Sequence, residues 1–242
     1  MLFREIGKGL LDIVYPKRCP MCLEVIPIHE EEAICSACVD GLPYISEPRC
    51  EKCSKPVFDQ DVALCFDCSK SEHYYRKGWA LWLYEGKVRQ ALYRLKNNNN
   101  KNNGRIFAKE VVTLYYRDII HASIDMIIPV PLHPKKYKKR GYNQAKIIAD
   151  AVSEAMDIPC EDGCLIRTMN TQPQKHLSDL GRIENMQKAF QVIEPACIDN
   201  KRILLCDDIY TTGSTINGCA KALLRHGASE VYFITLAIGK GF

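Results

Sequence analysis

Eight of the thirteen cysteines fall in the first 68 residues, as four C-x-x-C pairs: Cys19/Cys22, Cys35/Cys38, Cys50/Cys53 and Cys65/Cys68. Twelve, eleven and eleven residues separate successive pairs. A C-x-x-C turn brings two thiolates to one ion, and two such turns complete a tetrahedral site. The near-regular repeat predicts two successive ribbon-like modules with about two structural zinc ions. In the simplest grouping Cys19, Cys22, Cys35 and Cys38 hold one ion, and Cys50, Cys53, Cys65 and Cys68 the other. A crossed grouping, pairs one and three against two and four, satisfies the spacing as well. A disulfide framework is the competing reading, and it calls for an export signal. Residues 1–14 instead interleave Arg4, Glu5, Lys8 and Asp12 with apolar residues in an amphipathic-helix pattern. Little else in residues 15–70 could build a core, so the metal is expected to supply the folding energy there.

Two tetrathiolate sites would each contribute two negative charges, bringing the formal net charge of +4 close to zero. A nucleic-acid reading must then rest on local clusters. No apolar run approaches the roughly 18 residues of a membrane span. The expected setting is the cytoplasm.

Downstream of the cysteine pairs, residues 203–215 are the most informative. Ile203, Leu204, Leu205 and Cys206 run into Asp207 and Asp208, and a small-residue turn follows. Ile216, Cys219, Ala220, Leu223 and Leu224 then recur at helix spacing up to Gly227. Strand, loop and helix in that order place the loop at a strand's carboxyl end, where open α/β sheets bind ligands. Thr211, Thr212, Gly213, Ser214 and Thr215 would offer N–H groups and hydroxyls to an anion at a helix N-terminus. The two carboxylates suit a diol or a hydrated cation. Together they describe a ribose 5-phosphate.

Between these regions the pattern predicts a strand over 79–84, helices over 86–96 and 105–121, a strand over 124–130 and a helix from 144 to 156. The Asn tract at 97–104 is expected to be a flexible loop. Five basic residues occupy six positions, as Lys135, Lys136, Lys138, Lys139 and Arg140, read as a loop between strand and helix. Basic groups there suit a diphosphate, with the fork of Arg140 the strongest candidate. Interleaved with Tyr137 and Tyr142, the four lysines also suit single-stranded nucleic acid. The polar stretch 167–185, with His176, resembles a lid, and a short strand follows near 189–193. Cys206 and Cys219 fit small core positions.

The acid pair and its loop resemble the phosphoribosyl-diphosphate (PRPP) motif of type I phosphoribosyltransferases. Three further features accompany it: Val130-Pro131-Leu132, the string Arg140-Gly141-Tyr142-Asn143-Gln144, and a pattern of Arg167, Thr171, Gln174, Leu177, Arg182 and Asn185. With the four C-x-x-C pairs, the chain is similar to the ComF/GntX-like competence proteins over nearly its whole length. That resemblance implies a double zinc ribbon over 1–72 and, over 73–242, an α/β domain whose mainly parallel sheet carries helices on both faces. It implies a cytoplasmic part in handling incoming single-stranded DNA during natural transformation, with DNA-uptake or recombination proteins as partners. It also implies PRPP bound with Mg²⁺ by Asp207, Asp208, Thr211–Thr215, Pro131 and Leu132. The alternative is an active phosphoribosyltransferase on an unidentified acceptor, with Asp207, Asp208 and Arg140 as the catalytic groups.

Overall fold

The computed structural model describes residues 16–27, 30, 32–97, 100–168 and 189–240. The amphipathic pattern at 1–14 lies outside them. So do His176 and, of the polar pattern, Thr171, Gln174, Leu177, Arg182 and Asn185.

Short helices Ser36–Val39 (α1) and Phe66–Lys70 (α2) carry the second C-x-x-C turn of each ribbon, with Cys35 and Cys65 as their N-caps. The α/β part begins with Gly78–Leu83 (β1), Gly86–Asn97 (α3) and Lys101–His121 (α4). Met126–Pro129 (β2), Pro134–Arg140 (α5) and Gln144–Met156 (α6) come next. Leu165–Arg167 (β3) and Phe190–Val192 (β4) form a small antiparallel pair. Arg202–Tyr210 (β5), Ser214–Arg225 (α7) and Glu230–Ile238 (β6) close the fold. The main sheet has the order β1-β6-β5-β2, and every pairing in it is parallel.

A parallel sheet must be covered on both faces, and two hydrophobic clusters do this. On one face Leu204, Cys206, Ile234 and Leu236 meet Leu92 and Leu95 of α3, Phe107 and Val111 of α4 and Ile148 and Val152 of α6. On the other, Ile203, Leu205, Val231 and Phe233 meet Ile216, Cys219, Ala220 and Leu223 of α7. Cys206 and Cys219 are fully buried, as their spacing suggested.

The ribbons are built into these cores, one on each face. Cys19 and Cys38 belong to the first cluster with Met21, Ile26, Ile34 and Leu42; Cys50, Cys53, Cys65 and Cys68 belong to the second. Metal is thus not the ribbons' sole anchor, contrary to the sequence expectation. Arg94 of α3 donates to the carbonyls of Pro20 and Met21 at 2.9 and 2.8 Å, fixing the first knuckle. The segment between the ribbons runs antiparallel along β1, with Ile45 N–H donating to the Leu81 carbonyl and Leu83 N–H to that of Pro43. It therefore covers a sheet edge that would otherwise be open.

Three local expectations are corrected. The Asn tract is not a loop throughout: Lys101, Asn102, Asn103 and Gly104 form the first turn of α4, and Asn103 is buried. The basic run is a helix, started by His133, whose Nδ1 accepts from Lys135 N–H, with Pro134 in the first turn, and ended by Gly141 at φ 81°. The strand over 230–238, which the sequence reading passed over, lies inside the sheet between β1 and β5.

Gly78 pairs with Phe233, and a Cβ there would stand 2.0 Å from that ring. Gly78→Ala should therefore cost about 1–3 kcal/mol by overpacking, visible as a lower urea midpoint. An unchanged midpoint would mean that the ring moves aside freely.

Candidate functional site

The eight cysteines form two groups, Cys19/Cys22/Cys35/Cys38 and Cys50/Cys53/Cys65/Cys68, with the sulfurs of each within 4.8 Å of one another. Successive pairs therefore share a site, which resolves the grouping left open by the spacing. Cys22 and Cys35 Sγ are 3.7 Å apart, Cys53 and Cys65 Sγ 3.6 Å. A tetrahedron with Zn–S bonds of about 2.3 Å has edges of about 3.8 Å, so both groups fit zinc, and the separations rule out disulfides. A lysine accompanies each group. Lys87 Nζ is 3.5 Å from Cys38 Sγ, and the buried Lys55 pairs with Asp67 of α2 beside the second site. Those cations offset part of the charge that four thiolates bring.

The acid pair sits within β5, Asp207 three residues and Asp208 two residues before its end. Asp208 is buried and Asp207 half-buried. Burial raises the Asp207 carboxyl to about 8; the Asp208 charge adds to the rise, and the Asp208 N–H, donating to Asp207 Oδ1 at 2.8 Å, opposes it. Lys96, at the end of α3, places Nζ 2.9 Å from Asp208 Oδ2, yet that buried oxygen accepts no well-aligned hydrogen bond. An acceptor so held fits a hard cation.

Beyond the pair, Thr211, Thr212 and Ser214 are exposed, and Thr212 and Ser214 share a hydroxyl contact of 3.0 Å. Gly213, at φ 76°, is the N-cap of α7 and supplies no side-chain cap. The first-turn N–H groups are thereby left for an anion. Val130, Pro131 and Leu132 lie alongside: Val130 N–H donates to the Cys206 carbonyl at 2.9 Å, and Asn143 Nδ2 donates to the Val130 carbonyl at 3.0 Å.

Cations from three elements face this edge. Partial burial, and then the charges of Arg167, Arg140 and Lys96, lower the Lys136 ammonium, although the residue is exposed. Arg140 also donates to Gln144 Oε1. Lys135, Lys136, Lys138 and Lys139 are all exposed, and Tyr137 is half-exposed. Helical spacing thus divides a run that looked uniform, with Lys136 and Arg140 one turn apart on one side. Tyr142, read from sequence as a stacking face, is buried and donates its hydroxyl to the Leu95 carbonyl. Lys96 was missed because a lysine ending an amphipathic helix carries no motif.

Residues 10–69 match the double zinc ribbon domain, and residues 139–241 match the phosphoribosyl transferase domain. The chain is 29% identical over 225 residues to competence protein F of Haemophilus influenzae, covering 91% of this chain and 96% of that one, so the similarity spans both parts. It is 25% identical to the DNA utilization protein YhgH of Escherichia coli, over 82% of this chain and 87% of that one. Competence protein ComFC of Bacillus subtilis is likewise 25% identical, over 85% and 84% respectively. Among the described residues no helix is long and apolar enough to cross a membrane.

Metal analysis of protein purified under reducing conditions should return about two zinc ions per chain; one or none would contradict the geometry. The Asp207 carboxyl gives a pH signature. An unfolded Asp ionises near 3.9, whereas the folded group keeps its proton to about 8. The native state binds more protons in that window, so this residue makes stability fall as pH rises from about 4 to 8. Asp207→Asn should flatten that fall and melt higher than the parent at pH 8. A variant that melts lower there would show that the carboxylate is stabilised rather than desolvated.

Proposed function

Because the chain belongs to the ComF-like family of competence-protein relatives, which join a double zinc ribbon to a phosphoribosyl transferase domain, we propose that it handles incoming single-stranded DNA in the cytoplasm during natural transformation. In this reading residues 1–72 are the ribbon module, and 73–242 hold a pocket for PRPP with Mg²⁺. The carrying observation is that one sheet edge gathers an acid pair, an uncapped helix N-terminus and cations from three elements. The 5-phosphate would lie on Thr211–Thr215 and the ribose hydroxyls on Asp207 and Asp208. The diphosphate would reach Pro131, Leu132, Lys136 and Arg140. Mg²⁺, when bound, would neutralise diphosphate charge beside Asp208, and Lys96 would have to yield its place there.

The cation cluster also favours a second reading, an active phosphoribosyltransferase. Displacement at the anomeric carbon leaves negative charge on the departing diphosphate, and Arg140, Lys136 and Arg167 stand where they could stabilise it. The acceptor would be found by testing candidate nucleophiles for pyrophosphate release. DNA would meet a different surface, the exposed Lys135, Lys138 and Lys139 with Tyr137, together with DNA-uptake or recombination proteins as partners.

Calorimetry against PRPP with Mg²⁺ tests the pocket. Asp207→Asn with Asp208→Asn should remove detectable binding. Gly213→Val should do the same, because a side chain at its positive φ is strained and meets the Tyr210 hydroxyl at 2.2 Å. Unchanged affinity in both would defeat the assignment. For DNA, three lysine contacts at about −0.7 each give a slope of log K against log salt near −2. Changing Lys135, Lys138 and Lys139 to Gln should abolish that slope and spare PRPP, whereas Lys136→Gln should weaken PRPP by about tenfold and spare most of the slope. A flat salt response in the parent would reject DNA binding by α5.

A further inference from the structure

The two ribbons pack on opposite faces of the sheet, and among the described residues it is the second that reaches the loop following β5. Three contacts make this connection. Tyr75, on the chain leaving the second ribbon, shares a 2.7 Å hydrogen bond with the hydroxyl of Tyr210, the last residue of β5. Both rings are 1% exposed and pack on Phe233, Tyr210 stacked at 4.9 Å and Tyr75 edge-on at 4.8 Å. The Tyr75 hydroxyl also lies 4.0 Å from Cys68 Sγ. Next, the backbone of Gly213 rests on the Tyr210 hydroxyl so closely that a Cβ there would stand 2.2 Å from it. Finally, Asn217 in the first turn of α7 accepts from Tyr74 N–H at 2.6 Å and donates to the Glu72 carbonyl at 3.3 Å. Its own N–H donates to the Gly213 carbonyl at 2.8 Å.

We infer that the second ribbon belongs to the phosphoribosyl site: through the Tyr75–Tyr210 hydrogen bond it fixes the turn at Gly213, which makes Tyr75 a positioning residue for the ligand's 5-phosphate. Its role toward the ligand rests on the phosphoribosyl reading; the coupling of ribbon to loop does not. The buried Tyr210 hydroxyl is the surface on which Gly213 sits. If its ring is free to tilt, the loop N–H groups lose their common aim, and a phosphate that needs several of them together binds less well. Among the described residues the first ribbon has no such path. Its links, through Arg94 and Lys87, run to α3 on the other face.

The test removes one oxygen atom. Tyr75→Phe keeps the ring packing and both zinc sites, so metal content should stay at about two ions per chain. Hydrogen–deuterium exchange of the intact protein should be about tenfold faster over residues 210–217 and unchanged over 19–38. PRPP with Mg²⁺ should bind about fivefold to tenfold more weakly. Tyr210→Phe alone should loosen the same residues at least as much, because it removes both the bond to Tyr75 and the hydroxyl on which Gly213 rests. A purely structural role would lower the melting temperature and leave the affinity untouched, and that result overturns the inference. Parental exchange over 210–217 overturns it too. If the parent itself binds no PRPP, the phosphoribosyl reading falls and takes the ligand role of Tyr75 with it. The exchange comparison still decides whether ribbon and loop are coupled.

Discussion

The constraint on which the molecule depends is the position of β5. It is hydrogen-bonded to β2 on one side and β6 on the other, and apolar side chains cover both its faces. Water is therefore kept from its middle and reaches its carboxyl end only in part, where Asp207 and Ile209 are half-buried. Two carboxyl groups placed there cannot both be ionised at ordinary cost. Asp207 answers by holding its proton to higher pH, and Asp208 by standing against Lys96. The same burial makes the pair reactive toward ligands, since a cation arriving between them replaces solvation that the sheet has removed.

A second consequence concerns the cations at that edge. Lys96, Lys136, Arg140 and Arg167 come from three separate elements, α3, α5 and β3. Burial lowers the Lys136 ammonium, and the like charges of Arg167, Arg140 and Lys96 lower it further. Such an arrangement stores unfavourable energy that a polyanion relieves, in the same way that the desolvated acid pair favours a metal. Among the described residues, acid and base meet directly where Lys96 stands against Asp208.

Much of this was legible in the sequence wherever backbone and side-chain patterns agree. The apolar run before Asp207 and the helix spacing after Ser214 each have a single physical solution, and the C-x-x-C repeat points to metal while leaving the pairing of its turns open. The misreadings share a cause. Residues 134–140 hold no buried side chain, so a helix marked only by Pro134 and Gly141 shows no apolar period. Tyr142 looks like a surface aromatic beside lysines, but its hydroxyl reaches a carbonyl across the fold. Lys96, Arg94 and the Tyr75–Tyr210 bond connect residues distant in the chain, and no local spacing reports them. The ribbons' share in the core was hidden for the same reason, because cysteines spaced for metal give no sign of what packs around them.

That shared core has a bearing on the lifetime of the protein in a cell. In a free-standing zinc finger, loss of the ion unravels one appendage. Here six of the eight cysteines are buried in the sheet's two cores, with Cys22 and Cys35 packed against one of them, so metal binding and global folding are linked equilibria. A chain made when zinc is scarce would present apolar sheet surface to proteases before it had any ligand to bind. Its abundance would then follow zinc supply through turnover, independently of any change in transcription.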